Sequence, residues 1–468
     1  MKQQETGQSV PPDITFIRLG AEINRLMQEH HVPGAAVGVL YEGQTYTAGF
    51  GINHITHSLP ITDDTLFQIG SISKTFAATL VMQLVQEGKL DLDAPLQRYL
   101  PGFSLADQEV AAQATLRHLL THTGNWIGDF FADTGEGDDA TARYMVKMAQ
   151  LEQLMPLGST FSYNNAGFYL IGHLVEAVTG ETFENALRAY LLDPLGMTHC
   201  YLRASDVMME RFVVGHNKRE HGLEVARPWP LPRAAQAAGG ITSSIKELLR
   251  YARFQMSGET ADGVQLLTPE TRAEMQSPQI SRWNEQESIG LSWFIDDDHG
   301  IRAVSHGGST VGQMALLAMI PAQNFAVVLL TNSNTGGALN RDAYRAALHY
   351  YWGIEKEAVQ SIAMTEQMQS EYVGTYTRPM ARIELQQMNA TEENEPQLRF
   401  IQTYRSGFPT EDTPPRPPLP PMRCVLCETD RLLILDGPLK DTKVDILRDE
   451  QGGVGWIRSG LRIHQREG

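Results

Sequence analysis

A serine and a lysine three residues apart, Ser71 and Lys74, open an apolar run, Phe67-Gln-Ile-Gly-Ser-Ile-Ser-Lys-Thr-Phe76. That spacing is close to one helical turn, so the hydroxyl and the amine can share a face and meet. A serine attacks an acyl carbon only when a neighbour takes its proton, and a lysine whose pKa desolvation has depressed can do that. The positive end of a helix starting here pushes the lysine the same way and favours an oxyanion formed beside Ser71. The spacing alone is a weak signal, because Ser243-Ser-Ile-Lys246 repeats it before a second helical run. Motif order along the chain separates the two. Tyr163-Asn164-Asn165, the one Tyr-x-Asn, lies after Ser71 and before Ser243, and His306-Gly307-Gly308 comes later still. His122-Thr-Gly124 precedes the tyrosine and is out of order, so Ser71 alone heads a series Ser-x-x-Lys, Tyr-x-Asn, His-x-Gly.

Each member has a task in acyl transfer. Ser71 is the nucleophile and becomes an acyl-enzyme; Lys74, with Tyr163, accepts its proton and returns it to the leaving group. Tyrosine ordinarily titrates at about 10. A cation beside Tyr163 would stabilise its phenolate or orient its proton, making it a base for the deacylating water. Asn165 has amide donors and an acceptor with which to hold Lys74 and bind a substrate amide. The backbone N–H groups of Ser71 and Ser309 are expected to hold the oxyanion, with Gly307 and Gly308 letting that backbone approach the substrate. Gln68, Asn125 and Trp126 are expected to line the cleft. Bland readings compete: Ser71 as a helix cap with Lys74 on the surface, Tyr163 as a core aromatic, His306 as a turn histidine. The ordered context favours the catalytic ones. For His122 and Trp126 the structural reading is taken ahead of a place in the cleft, and the acidic stretch Asp129 to Asp139, lacking calcium-loop spacing, is read first as solvated and second as attracting a cationic substrate end.

The ordered series resembles the serine β-lactamase and penicillin-binding protein superfamily, and within it the class C-related branch of esterases, D-aminopeptidases and DD-peptidases. The likeness spans about residues 15 to 355 and extends to Leu119-Leu-Thr-His-Thr-Gly124, Phe161-Ser-Tyr-Asn-Asn-Ala-Gly-Phe168, Pro194-Leu-Gly-Met197 and Ala238-Gly-Gly-Ile-Thr-Ser243. It implies a serine hydrolase of β-lactamase-like fold, working without metal or organic cofactor. Relatives carry Lys-Thr-Gly or Lys-Ser-Gly where this chain has His306-Gly307-Gly308, so the permanent cation and hydroxyl that help bind a β-lactam carboxylate are missing. The expected substrate is therefore an ester, small amide or short peptide, including peptides with D-residues. A true β-lactamase is one alternative, and a catalytically silent binding or scaffold protein of the same fold is the other.

Composition fits a large two-domain enzyme: 468 residues, 42% hydrophobic. No apolar stretch reaches membrane-spanning length. The N-terminus lacks the apolar segment of a signal peptide, which points to the cytoplasm, a processed secreted form being left open. A net charge of −17 argues against nucleic acid and anionic membranes as partners, and a homo-oligomer is left open. Three cysteines build no disulfide framework; Cys424 and Cys427, at i and i+3, point to opposite faces of a strand and are read as structural rather than metal-binding.

Periodicity predicts the elements that must position the series. Phe16 to His30 is an amphipathic helix, Ala35 to Tyr41 and Thr45 to Phe50 a hairpin, and Lys74 to Glu87 a helix closed by Gly88. Ala166 to Thr179 is a helix that Tyr163 and Asn165 precede on a loop, and Gln313 to Pro321 and Phe325 to Asn332 are paired strands, putting His306 at or just before a strand. The expectation is an α/β (α+β) fold: an antiparallel sheet flanked by helices with a helical subdomain over residues 1–355, a linker at 356–370, and a small all-β barrel or sandwich at 371–468. The latter resembles the lipocalin-like domains appended to some relatives. Its strands are expected at 372–377, 383–388, 397–404, 423–428, 432–435, 444–447 and 455–464. Seven prolines between Pro409 and Met422 exclude a central strand and mark a loop. The domain is read first as a stability or assembly module, and second as a means of carrying that loop over the cleft.

Overall fold

The computed structural model describes residues 13–298, 300–355, 359–388 and 398–468. The N-terminal segment read for a leader and the first part of the expected linker (356–358) lie outside the described residues.

Helix α1 (Ile14–Glu29) starts where the Asp13 carboxylate accepts from Thr15 N, a cap typically contributing about 1 kcal/mol. Strands β1 (Gly34–Tyr41) and β2 (Gln44–Gly51) follow as a hairpin. Its two turn residues, Glu42 and Gly43, both have positive φ, the primed turn that matches strand twist. Helix α2 (Ser73–Gln86) carries Lys74, and α3 (Asn165–Thr179) begins behind an Asn164 side-chain cap on Gly167 N. Helix α4 (Ile245–Ser257) precedes six strands: β3 (Ile280–Ser281), β4 (Glu287–Ile289), β5 (Phe294–Asp298), β6 (Ile301–Ser309), β7 (Met314–Ile320) and β8 (Phe325–Thr331). These complete an eight-stranded antiparallel sheet in the order β2-β1-β8-β7-β6-β5-β4-β3. Helix α5 (Gly336–Trp352) closes the lobe.

The period-2 alternation of the central strands sends side chains to two cores. Val37, Val39, Val327 and Leu329 face α1 and α5, meeting Leu19, Ile23, Leu339 and Ala343. Ala36, Leu40, Val328 and Leu330 face α4, which joins them to the larger core around α2 and α3. Helix α2 is buried on every side except its last turns, including Ser73, Lys74 and Thr75. The helix runs through the middle of the larger core, which is what places a lysine out of reach of water.

The C-terminal domain is a closed eight-stranded antiparallel barrel from Gly374–Arg378 to Arg462–Arg466. Tyr376, Ile383, Phe400, Cys424, Val444 and Ile457 fill it. Cys424 points inside and Cys427 joins a patch on the other face; both are buried and free. Two expectations need correction. The segment 455–464 is not one strand but two, Val454–Ser459 and Arg462–Arg466, folded back at Gly460 and Leu461. Both turn residues have positive φ (55° and 69°), which disfavours a residue as bulky as leucine and hid the turn from a pattern search. Within 356–370 the chain also forms a helix, Glu366–Tyr372, capped by Thr365, so Tyr372 ends a helix rather than starting a strand.

The barrel is fastened to the larger lobe by charged contacts. Arg431 grips Glu287 through both terminal nitrogens, at 2.8 and 2.6 Å, and Lys443 adds a third contact at 3.0 Å. Burial alone would raise the Glu287 carboxyl, but these cations hold it at about 2. Tyr163 N donates to Leu461 O at 2.8 Å, so the strained hairpin tip docks beside the Tyr-x-Asn element.

Candidate active site

Gly70, Ser71 and Ile72 form one 3-10 turn that runs directly into α2. Lys74 Nζ donates to Ser71 Oγ at 3.1 Å and to the Ala238 carbonyl at 2.6 Å, and the whole side chain is buried. Desolvation, reinforced by the charge of Arg462 and offset in part by Asp129, pulls the amine well below its usual range. The competing Ser-x-x-Lys behaves in the opposite way. Ser243 is buried against Cys200, while Lys246 lies near the surface between Asp63 and Asp64 and is held above its ordinary value, its ion pairs outweighing a desolvation that acts to lower it.

Tyr163 is packed among rings. His122 stacks on it at 4.2 Å between centroids, Lys74 Nζ lies 5.1 Å from its centroid and Arg462 Cζ 4.7 Å. Its buried Oη makes no well-formed hydrogen bond among the described residues. Burial pushes the phenol well above its ordinary value, and the nearby Ser71 hydroxyl and Arg462 offset this only in part. Of the two roles read from the sequence, a stabilised phenolate or an oriented proton, burial favours the second, a neutral phenol. His122 keeps its structural role: its Nδ1 accepts from Asn164 N at 3.0 Å and it supports the tyrosine.

Asn165 is the first residue of α3 rather than a loop residue, and it does not hold Lys74. Its Nδ2 donates to Asp129 Oδ1 at 2.6 Å. Asp129 is in turn no solvated loop charge: Arg378 Nη1 reaches its Oδ2 at 2.6 Å and Arg462 Nε at 3.1 Å. These arginines hold its carboxyl well below the usual carboxylate range, against the upward push of burial.

His306, Gly307, Gly308 and Ser309 lie within a strand, β6, the first of the two positions expected, paired with Leu317 to Met314 of β7. His306 Nδ1 meets Gly307 O at 2.6 Å, and burial, with the Lys74 charge, lowers its pKa to about 3, so the ring is neutral. The strand lies tight against the Ser71 turn. A β-carbon on Gly308 would stand 1.9 Å from Ile69 O, and one on Gly70, where φ is +52°, would stand 2.6 Å from Ser309 N. Only glycines at both positions let the Ser71 and Ser309 backbones approach so closely.

A cavity of about 760 Å³ is lined by Ser71, Tyr163, Asn165 and the His306–Ser309 edge, and on its far side by barrel residues including Arg378, Phe408 and Arg462. Gln68, Asn125 and Trp126 are not brought there. Gln68 Nε2 donates to Trp229 O at 2.7 Å, Asn125 Nδ2 to Pro156 O at 2.9 Å, and Trp126 is core. A second cavity, beside His54 and Trp229, contains none of the series. The proline loop touches the site as well: Phe408 and Arg416 line the cavity, and Phe408 packs edge-on to Phe131. Sequence reading missed Asp129, Arg378, Leu461 and Arg462. Asp129 stands close behind Asn125 and Trp126, but nothing in the local pattern flags barrel residues hundreds of positions away.

The beta-lactamase family model matches residues 19–351. "Penicillin-binding protein 4" of Amycolatopsis lactamdurans is 33% identical over 71% of this chain and 90% of its own length. Two solved structures share the fold. "SurE with D-Leu" has a TM-score of 0.73 at 24% identity and covers 97% of this chain and 99% of its own. The class C beta lactamase from Rhodobacter sphaeroides has a TM-score of 0.59 at 23% identity, covering 71% of this chain and 98% of its own. The longer match takes in the barrel. Among the described residues no helix is long and apolar enough to cross a membrane.

Proposed function

From the premise that this chain belongs to the beta-lactamase family of serine hydrolases, we propose that it cleaves an ester or a small amide or peptide through an acyl-enzyme on Ser71. The observation that carries this reading is the wholly buried Lys74 amine, 3.1 Å from Ser71 Oγ, with a backbone carbonyl as its other hydrogen-bond partner. A lysine so placed is a base and not a structural ion pair. Lys74 takes the hydroxyl proton as Ser71 Oγ bonds to the acyl carbon. The resulting oxyanion is met by the backbone N–H groups of Ser71 and Ser309. The proton then passes to the leaving group, directly or through the neutral Tyr163 hydroxyl, as the tetrahedral intermediate collapses. Water enters by the reverse path, with Lys74 again taking the proton.

Treatment with a fluorophosphonate followed by intact-mass measurement tests this directly. Wild type is expected to gain one adduct and Ser71→Ala none; a well-folded wild type that gains none would restore the binding-protein reading. Against the β-lactamase alternative stands the neutral His306 on the sheet wall. Turnover of p-nitrophenyl butyrate is expected to exceed that of nitrocefin by kcat/KM, and the reverse order would favour a true β-lactamase.

A further inference from the structure

Four arginines and one carboxylate face the cavity that contains Ser71: Arg341, Arg378, Arg416 and Arg462 against Asp129, among its described lining residues. This runs against a chain whose net charge is −17. Arg378 and Arg462, on the first and last strands of the barrel, converge on Asp129, whose remaining partner is the neutral Asn165 amide. One negative charge therefore serves two guanidiniums, and one positive charge is left over. His464, whose Nε2 accepts from Arg378 Nε at 3.2 Å, adds no charge, since burial lowers its pKa to about 3. Arg378 commits Nε to His464 and Nη1 to Asp129, which leaves Nη2 without a partner among the described residues.

A clamp between domains explains one guanidinium per carboxylate but not the excess. Elsewhere on this interface the charges balance: Arg431, Lys443 and Arg458 face Glu287, Glu428 and Asp445. The unbalanced pair lies instead in the wall of the cavity, with Arg462 over the same tyrosine ring that Lys74 approaches. Guanidiniums are suited to carboxylate because their forked donors match its two oxygens.

We propose that Arg462 and Arg378, carried into the cleft by the barrel, bind a carboxylate of the substrate, so that the compound cleaved at Ser71 is an anion such as a short peptide with a free C-terminus. This rests on the hydrolase reading and narrows it. This cationic site lies on the barrel wall rather than beside His306, where relatives hold a β-lactam carboxylate, so it suits the flexible carboxylate of a peptide and does not restore β-lactam recognition. An ammonium group gains nothing there, because Asp129 is already neutralised, and this weighs against an aminopeptidase.

Binding to the Ser71→Ala protein tests the subsite without requiring turnover. The probes are N-acetylglycylglycine and its C-terminal carboxamide, which differ in charge and not in shape or chirality, titrated by calorimetry. The carboxylate is expected to bind about tenfold more tightly than the carboxamide, as a charge-assisted contact to arginine would give. Adding Arg462→Gln should shrink that ratio towards one with carboxamide affinity unchanged, and Arg462→Lys should restore part of it. A purely structural arginine would instead weaken both probes together. Equal affinities in the parent, no binding of either probe at millimolar concentration, or a preference that survives both Arg462→Gln and Arg378→Gln would overturn the proposal. A missing fluorophosphonate adduct with the carboxylate preference intact would sink the hydrolase reading alone.

Discussion

Replacing Lys74 by methionine is expected to slow acylation of Ser71 by about 10²- to 10⁴-fold, the range lost when a positioned general base is removed. The fold should survive. Methionine nearly matches the length of lysine, and the site it enters is already wholly buried among apolar neighbours. The loss of the hydrogen bond to Ala238 O costs about 1–3 kcal/mol. Relief from burying an amine works the other way. The pseudo-first-order rate of fluorophosphonate labelling measures the first effect and the calorimetric Tm the second. Lys74→Arg should be as slow, because a guanidinium keeps its proton. In the wild type the sign of the pH dependence follows from the lowered pKa. The neutral amine is the working form, so labelling falls as pH drops through that value and levels off above it. Loss of that limb in Lys74→Met, and not in His122→Gln, would assign it to Lys74. Labelling of Lys74→Met at close to the wild-type rate would remove the lysine from the mechanism.

Gly308→Ala is expected to be nearly as damaging, and Gly307→Ala next to it nearly silent. At 308 the new methyl would lie 1.9 Å from Ile69 O, a backbone atom tied down by the bond from Ile69 N to Ile241 O. Neither side can yield cheaply, so β6 must move away from the Ser71 turn. Overpacking of this kind costs about 1–3 kcal/mol, and displacing one oxyanion donor costs about 10²- to 10³-fold in kcat. At 307 the nearest atom to the methyl is Ala315 O at 3.7 Å, an ordinary contact. Steady-state kinetics on a p-nitrophenyl ester, with Tm for each variant, separates the two. Equal kinetic effects would mean that the close approach of β6 to Ser71 does not build the oxyanion site.

Much of the catalytic lobe was legible because its signals are local. The hairpin at Glu42-Gly43, the helix entered after Tyr-x-Asn and the apolar runs of β1 and β8 each depend on residues a few positions apart, and those elements stand within one or two residues of expectation. The ordering of Ser-x-x-Lys, Tyr-x-Asn and His-x-Gly also separated Ser71 from Ser243, and the contrast between buried Lys74 and ion-paired Lys246 agrees with that choice. The Gly460-Leu461 turn escaped because its backbone conformation is one that leucine rarely adopts; only docking of the tip against Tyr163 and the surrounding rings explains it.

By itself, then, the sequence determined the family, the fold of the larger lobe and the proposed pairing of Ser71 with its neighbour lysine, since each is written in spacing along one helix or in motif order. The tertiary structure alone decided the protonation states and the charge of the cleft. Whether Tyr163 is a phenol or a phenolate depends on how completely it is buried and where a cation sits over its ring. Whether Asp129 is a free charge depends on two arginines more than two hundred residues away. Coulomb energy and desolvation depend on distance and dielectric in space, not on separation along the chain.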